Sequence, residues 1–96
     1  MTVRQKFQKA LMLLDRGAID RGEETLREVI SESETMGDEV AFVQGLICLG
    51  DLLYETGRLS EARPLLERAV QKKRDDDLLS KEFDRANMLL KVMSER

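Results

Sequence analysis

Cys48 is the strongest nucleophile in the sequence, and nothing is there to activate it. The chain contains no His, so no imidazole can take the thiol proton or orient it. It is also the single Cys, which excludes an internal disulfide and a metal-spaced Cys pair. Its neighbours are Ile47 and Leu49, the setting of a packed or half-buried thiol. Ser31 and Ser33 have no adjacent base. Carboxylates are plentiful, and Glu23, Glu24, Glu28, Glu32 and Glu34 include pairs four apart, which share one helix face. A metal could be held by such a cluster, but acidic side chains on one helix face more often just meet water. There is no phosphate-cradling glycine loop and no nucleophile motif. The residues thus predict a non-catalytic chain with no cofactor and no metal site.

What must position these groups is helix. The chain is 36% charged with a single Pro, and its Ala, Leu, Glu, Lys and Arg are strong helix formers. With 96 residues and 42% apolar side chains, one domain with a mainly aliphatic core is the expectation. The 16 basic and 19 acidic residues are interspersed and leave a net charge of −3, so no basic face is available for nucleic acid. No apolar run reaches the roughly 18 residues that would span a membrane. The N-terminal Met1–Lys6 stretch has no apolar signal core. A cytoplasmic location and a protein or peptide partner are the predicted defaults.

The most ordered pattern runs from Leu49 to Val70. Apolar residues at Leu49, Leu52 and Leu53, and then at Leu59, Ala62, Leu65, Leu66, Ala69 and Val70, keep helical spacing. Between them Thr56-Gly57-Arg58 marks a tight turn, with Gly57 in the left-handed conformation that closes a helix. Ser60 is the expected cap of the next helix. Gly50, in mid-helix, costs about 1 kcal/mol against Ala. The reading is that a second helix backbone approaches there, with Ala62 and Ala69 as its small partners.

This run resembles a tetratricopeptide repeat, a helix-turn-helix unit with small and large residues at fixed offsets. Leu49, Gly50, Tyr54, Gly57, Leu59, Ala62, Leu66 and Ala69 stand where that family places Leu, Gly, Tyr, the turn Gly, an aromatic, Ala, a large apolar residue and Ala. Leu46 replaces the usual Trp, and Arg74 lies near the place of the usual Pro. A weaker copy precedes it. Leu14 to Ile19 parallels Tyr54 to Leu59, with Gly22, Leu26 and Val29 parallel to Ala62, Leu66 and Ala69. Gly17 and Gly57 are 40 residues apart, whereas the family repeat is about 34. The surplus is expected in Ser31 to Asp38, as a longer second helix or a longer loop.

Five helices follow in order. The first runs from about Thr2 to Arg16, with a stripe of Val3, Phe7, Ala10, Leu11 and Leu14 widened by Met12 and Leu13. The second opens at Asp20, whose pairing with Glu23 reads as a capping box, and frays near Met36-Gly37. The third follows Asp38 and buries Val40, Val43, Leu46, Ile47, Gly50 and Leu53, with Gly45 facing the second helix. The fourth spans about Ser60 to Arg74. The block Lys72 to Asp77 reads as the end of that helix and the start of the fifth, which extends from 76 or 77 to about Ser94. Its stripe is Leu79, Phe83, Ala86, Leu90 and Met93, with Leu78, Leu89 and Val92 beside it. It serves as the lid that a repeat array needs. The predicted fold is all-α, an α-α superhelix of antiparallel hairpins in one domain, 1–96. It comprises repeat one (about 2–36), repeat two (about 38–74) and a capping helix (about 76–94). A closed helical bundle is the alternative.

The resemblance implies a concave groove lined by the first helix of each unit. Carried over, its lining includes Phe7, Leu11 and Asp15, then Gln44, Ile47, Asp51, Tyr54 and Glu55, then Lys81 and Arg85 from the closing helix. The Lys and Asn set with which the family grips a C-terminal carboxylate is missing, because Ile47, Cys48 and Asp51 stand there. An apolar floor with Asp15, Asp51 and Glu55 beside it suits a basic amphipathic helix or peptide. Phe7, Leu11 and Leu14 read equally well as packed core. The function expected is a non-catalytic adaptor or scaffold that binds a partner protein. The alternatives are a homodimerising structural subunit and a dedicated inhibitor or immunity-type protein.

Overall fold

In the computed structural model, which describes residues 1–72 and 74–95, five helices follow one another and no strand occurs among the described residues. They are α1 (Val3–Asp15), α2 (Ile19–Met36), α3 (Glu39–Glu55), α4 (Leu59–Val70) and α5 (Ser80–Ser94). The chain divides within α3 into a first unit, Met1–Gly45, and a second, Leu46–Arg96.

In the first unit, α1 starts on a reciprocal cap. The Thr2 hydroxyl accepts from the Gln5 amide at 3.1 Å, and the Thr2 amide donates to Gln5 Oε1 at 2.9 Å. Val3, Ala10 and Leu13 are its buried residues, while Phe7, Leu11 and Leu14 are half-buried. Met12, assigned to the apolar stripe from sequence, is instead 53% exposed. α1 ends where Gly17 takes φ +81°. The Gly17 amide donates to Leu14 O and the Ala18 amide to Leu13 O, the paired closure that a left-handed glycine permits. α2 begins at once: Ala18 is its N-cap, and Ala18 O accepts from Gly22 N at 2.9 Å. The Asp20–Glu23 capping box does not form. Asp20 falls inside the first turn, where a carboxylate suits the helix dipole, and Glu23 pairs with Arg27.

α2 has 18 residues and α4 has 12. The six-residue surplus in the repeat offset is therefore taken up as helix. Its buried positions are Gly22, Leu26, Val29, Ile30 and Ser33. A Cβ on Gly22 would overlap Leu14, whose Cγ lies 2.8 Å from that point, and one on Gly45 would meet Ile30 Cγ1 at 3.0 Å. Both glycines admit the close helix approach expected of them. Ser33 is fully buried but donates its hydroxyl to Ile30 O at 3.2 Å, so its burial leaves no unpaired polar group.

α3 departs from the single-stripe expectation. Ala41, Phe42, Val43, Leu46, Ile47, Leu49 and Leu53 are all 5% exposed or less, so burial runs round most of the helix, as its high apolar content requires. Val40 is only half-buried.

The second unit repeats the turn. Gly57 has φ +81°, its amide donates to Tyr54 O, and the Arg58 amide donates to Leu53 O. Arg58 is the N-cap of α4, so Ser60 sits in the first turn rather than capping it. Gly50 does face α4, but its neighbour is Leu66, not Ala62 or Ala69: a Cβ there would lie 2.6 Å from Leu66 Cδ2. α4 stops at Val70, short of the expected Arg74, and α5 starts at Ser80 rather than 76 or 77. The intervening acidic run makes turns instead of helix. Asp76 Oδ1 accepts from the Leu78 amide at 3.1 Å, and its carboxylate is forked onto Arg74. Lys73, part of that charge block, lies outside the described residues. In α5 the buried residues are Ala86, Leu89 and Met93, with Leu79 buried just before it. Leu90 and Phe83, expected in the stripe, are only half-buried; of the residues expected beside it, Leu89 is buried and Leu78 is 61% exposed.

Candidate functional site

Two guanidinium–carboxylate forks tie helix surfaces together, one in each unit. In the first, Arg4 of α1 donates Nε to Asp38 Oδ2 at 3.2 Å and Nη2 to Oδ1 at 3.3 Å. Asp38 also caps α3 by accepting from the Ala41 amide at 3.1 Å. The Arg4 bonds, and then the Ala41 amide, hold the Asp38 carboxyl below its ordinary range, and the same fork pushes Arg4 up. Lys6 bridges Glu32 and Glu28 of α2 and is raised by those hydrogen bonds, Glu32 first. The glutamates considered for a metal cluster are thus engaged with cations at Glu23, Glu28 and Glu32. Among the described residues no three His, Cys, Asp or Glu side chains are placed to hold a metal ion.

In the second unit, Arg85 of α5 reaches α3. Its Nη2 donates to Asp51 Oδ1 at 2.8 Å and to Glu55 Oε1 at 3.1 Å, and its Nε donates to Asp51 Oδ2 at 3.1 Å. Hydrogen bonding to Asp51 raises the Arg85 guanidinium further. Cys48 lies one turn before Asp51 on α3. Burial, and then the Asp51 charge, push its thiol up to about 11, which keeps it protonated and poorly nucleophilic near neutrality. Each of these shifted groups moves away from neutrality, the opposite of what proton-transfer chemistry needs.

The residues singled out from sequence divide between the units. In the first, Phe7 is half-buried against Val3, Val29 and Ala41, which makes it part of that core cluster. Leu11 and Gln44 are half-buried, and Asp15 is exposed at the end of α1. In the second, Ile47 is 4% exposed and belongs to the core rather than to a surface. Asp51 and Tyr54 are half-buried, while Glu55 and Lys81 are exposed. The structure brings Asp51, Glu55 and Arg85 into one cluster, so the two carboxylates expected to meet a partner's cation already hold one from this chain.

The sequence reading missed that pairing, although a signal was present. Asp51 and Arg85 are 34 residues apart, and opposite charges on the two expected helices, α3 and α5, could have been read as a candidate pair.

A cleft of about 510 Å³ opens elsewhere in the second unit, lined by Val70, Phe83 and the carboxylates of Asp75, Asp77 and Asp84 among others. It shares no residue with the Asp51 cluster. No described helix is long and apolar enough to cross a membrane. Comparison with protein-family models, with curated proteins and with solved structures found no match to this chain.

Proposed function

We propose that the chain is a non-catalytic protein-binding module of tetratricopeptide type, an adaptor or scaffold that takes a helix or peptide on the α3 face carrying Asp51, Tyr54 and Glu55. The single observation that carries this reading is the Arg85 fork. That stretch of α3 already binds a guanidinium presented by a helix, through both oxygens of one carboxylate and one oxygen of a second. Bidentate carboxylates of this kind select for arginine and fix its orientation. The protonated thiol of Cys48 and the lack of any His remove the usual nucleophilic routes on the same face. A cytoplasmic location fits the single free thiol.

The test is affinity capture with mass spectrometry, using wild type and the single variants Asp51→Ala, Tyr54→Ala and Glu55→Ala. Captured partners should be lost in at least Asp51→Ala or Tyr54→Ala while far-UV circular dichroism is unchanged. Identical partners for all four proteins would end the reading.

A second reading, a homodimer, draws on exposed apolar side chains: Met12 at 53%, Met36 at 66%, Leu78 at 61% and Met88 at 45%. Sedimentation at micromolar concentration separates the two, since a strict monomer removes the dimer.

A further inference from the structure

α5 is attached unlike the helices before it. α1 to α4 are joined by connections of two or three residues (16–18, 37–38 and 56–58), each closed by a left-handed glycine. α5 follows a nine-residue connection, 71–79, with no left-handed glycine among its described residues. What holds α5 resembles what holds a bound peptide helix. It has a single stripe of buried residues, Leu79, Ala86, Leu89 and Met93, it contacts α4, and one guanidinium crosses to α3. The Arg85 side chain is 37% exposed and that of Glu55 62%, so the fork sets register more than it adds affinity. Nine extended residues reach about 30 Å, enough for α5 to leave without unwinding α4.

We propose that α5 is a displaceable strap. The α3–α4 hairpin of the second unit is a receptor for an amphipathic helix with an arginine opposite Asp51 and Glu55, and α5 holds that place until another helix of the same pattern displaces it. That pattern is apolar positions spaced seven, three and four apart, with arginine directly before the small residue at the second of them. The proposal rests on the protein-binding reading above, and it names the partner's chemistry. Because α5 competes from within the chain, at an effective concentration of order millimolar, an incoming helix binds the wild type weakly and binds a loosened form better.

The probe is a fluorescein-labelled peptide with the sequence of residues 77–95, titrated by anisotropy into three full-length proteins: wild type, Arg85→Ala, and Arg85→Ala with Asp51→Ala. Loss of two partly exposed ion pairs in the strap should raise peptide affinity for Arg85→Ala roughly 2- to 5-fold over wild type. The added Asp51→Ala should abolish that gain, as should Arg85→Ala within the peptide. Equal binding to all three proteins, or no binding to any, overturns the proposal. Hydrogen exchange on the wild type supplies a test that needs no variant. The α5 amides should exchange together and faster than those of α3 and α4, the mark of a local opening. Exchange of all three helices at one common rate overturns the strap and leaves the protein-binding reading standing. Opening of α5 with partner capture indifferent to Asp51 and Tyr54 ends that reading and overturns the partner helix that the strap was to yield to.

Discussion

Alanine at Gly50 should change sign with its neighbour. Taken alone, the substitution gains about 1 kcal/mol of helix propensity. Against this, the new Cβ would lie 2.6 Å from Leu66 Cδ2 and 2.7 Å from Leu66 Cγ, whereas carbon atoms rest at about 3.5–4.0 Å. Leu66 is fully buried, and because Cγ is its branch point, turning the methyls does not relieve the contact. Leu66 must retreat by about 1 Å, and overpacking of that kind costs about 1–3 kcal/mol. Gly50→Ala should therefore destabilise by roughly 1 kcal/mol net.

Leu66→Ala by itself should cost about 2–5 kcal/mol. In that background no heavy atom of another helix lies nearer than 3.6 Å to the added methyl. Only the propensity gain remains, so Gly50→Ala should stabilise by about 1 kcal/mol. Urea unfolding of the four proteins, followed by far-UV circular dichroism, gives the cycle. A coupling near 2 kcal/mol is expected. The same sign for Gly50→Ala in both backgrounds would refute the contact on which the α3–α4 hairpin rests.

Three further outcomes are expected. Gly22→Ala should fall closer to neutral than Gly50→Ala in the same urea assay, because its neighbour Leu14 is only half-buried and can yield toward solvent. Cys48, with its thiol raised from 9.0 to about 11 by burial, should react with iodoacetamide at mildly alkaline pH about tenfold more slowly than in the urea-unfolded chain; roughly 100-fold less thiolate is partly offset by higher intrinsic nucleophilicity. Equal rates would show the thiol to be in water. Asp38 is held below its ordinary 3.8 when folded, so the unfolded chain takes up its proton first as pH falls. Its stabilisation is complete above the unfolded value and is lost as pH drops through the folded one. Asp38→Asn keeps a capping side chain and should flatten urea midpoint against pH between about 5 and 3; an unchanged slope would assign the acid sensitivity elsewhere.

The helices and their turns were legible because glycine announces them: Gly17 and Gly57 close α1 and α3 with the same φ of +81°. Gly22, Gly45 and Gly50 likewise told where helices crowd, since a glycine within an apolar helical pattern has few other uses. The caps were misread for a definite reason. Ala18 and Arg58 each donate an amide to the helix behind and offer a carbonyl to the helix ahead, so one residue serves both ends and Asp20 and Ser60 arrive a turn position late. The start of α5 was placed too early because periodicity cannot see Asp76 bonding the Leu78 amide, a local bond that competes with helix. Of the candidate site, Ile47 was not separable from its half-buried neighbours Gln44, Cys48 and Asp51 in a helix buried round most of its girth, and Phe7 proved to be half-buried on its own core cluster.

The extra turns of α2 carry a consequence for length variation. Six residues advance a helix by about 9 Å and swing its end through about 240° beyond a full revolution, whereas seven would return it to within about 20° of its starting azimuth. The added segment is thus a vernier: it sets the bearing on which the chain departs toward α3, not merely how far it travels. Its one inward residue, Ser33, satisfies its hydroxyl within its own helix and makes no demand on distant side chains. Excising seven residues there should keep the downstream bearing, and excising six should spoil it.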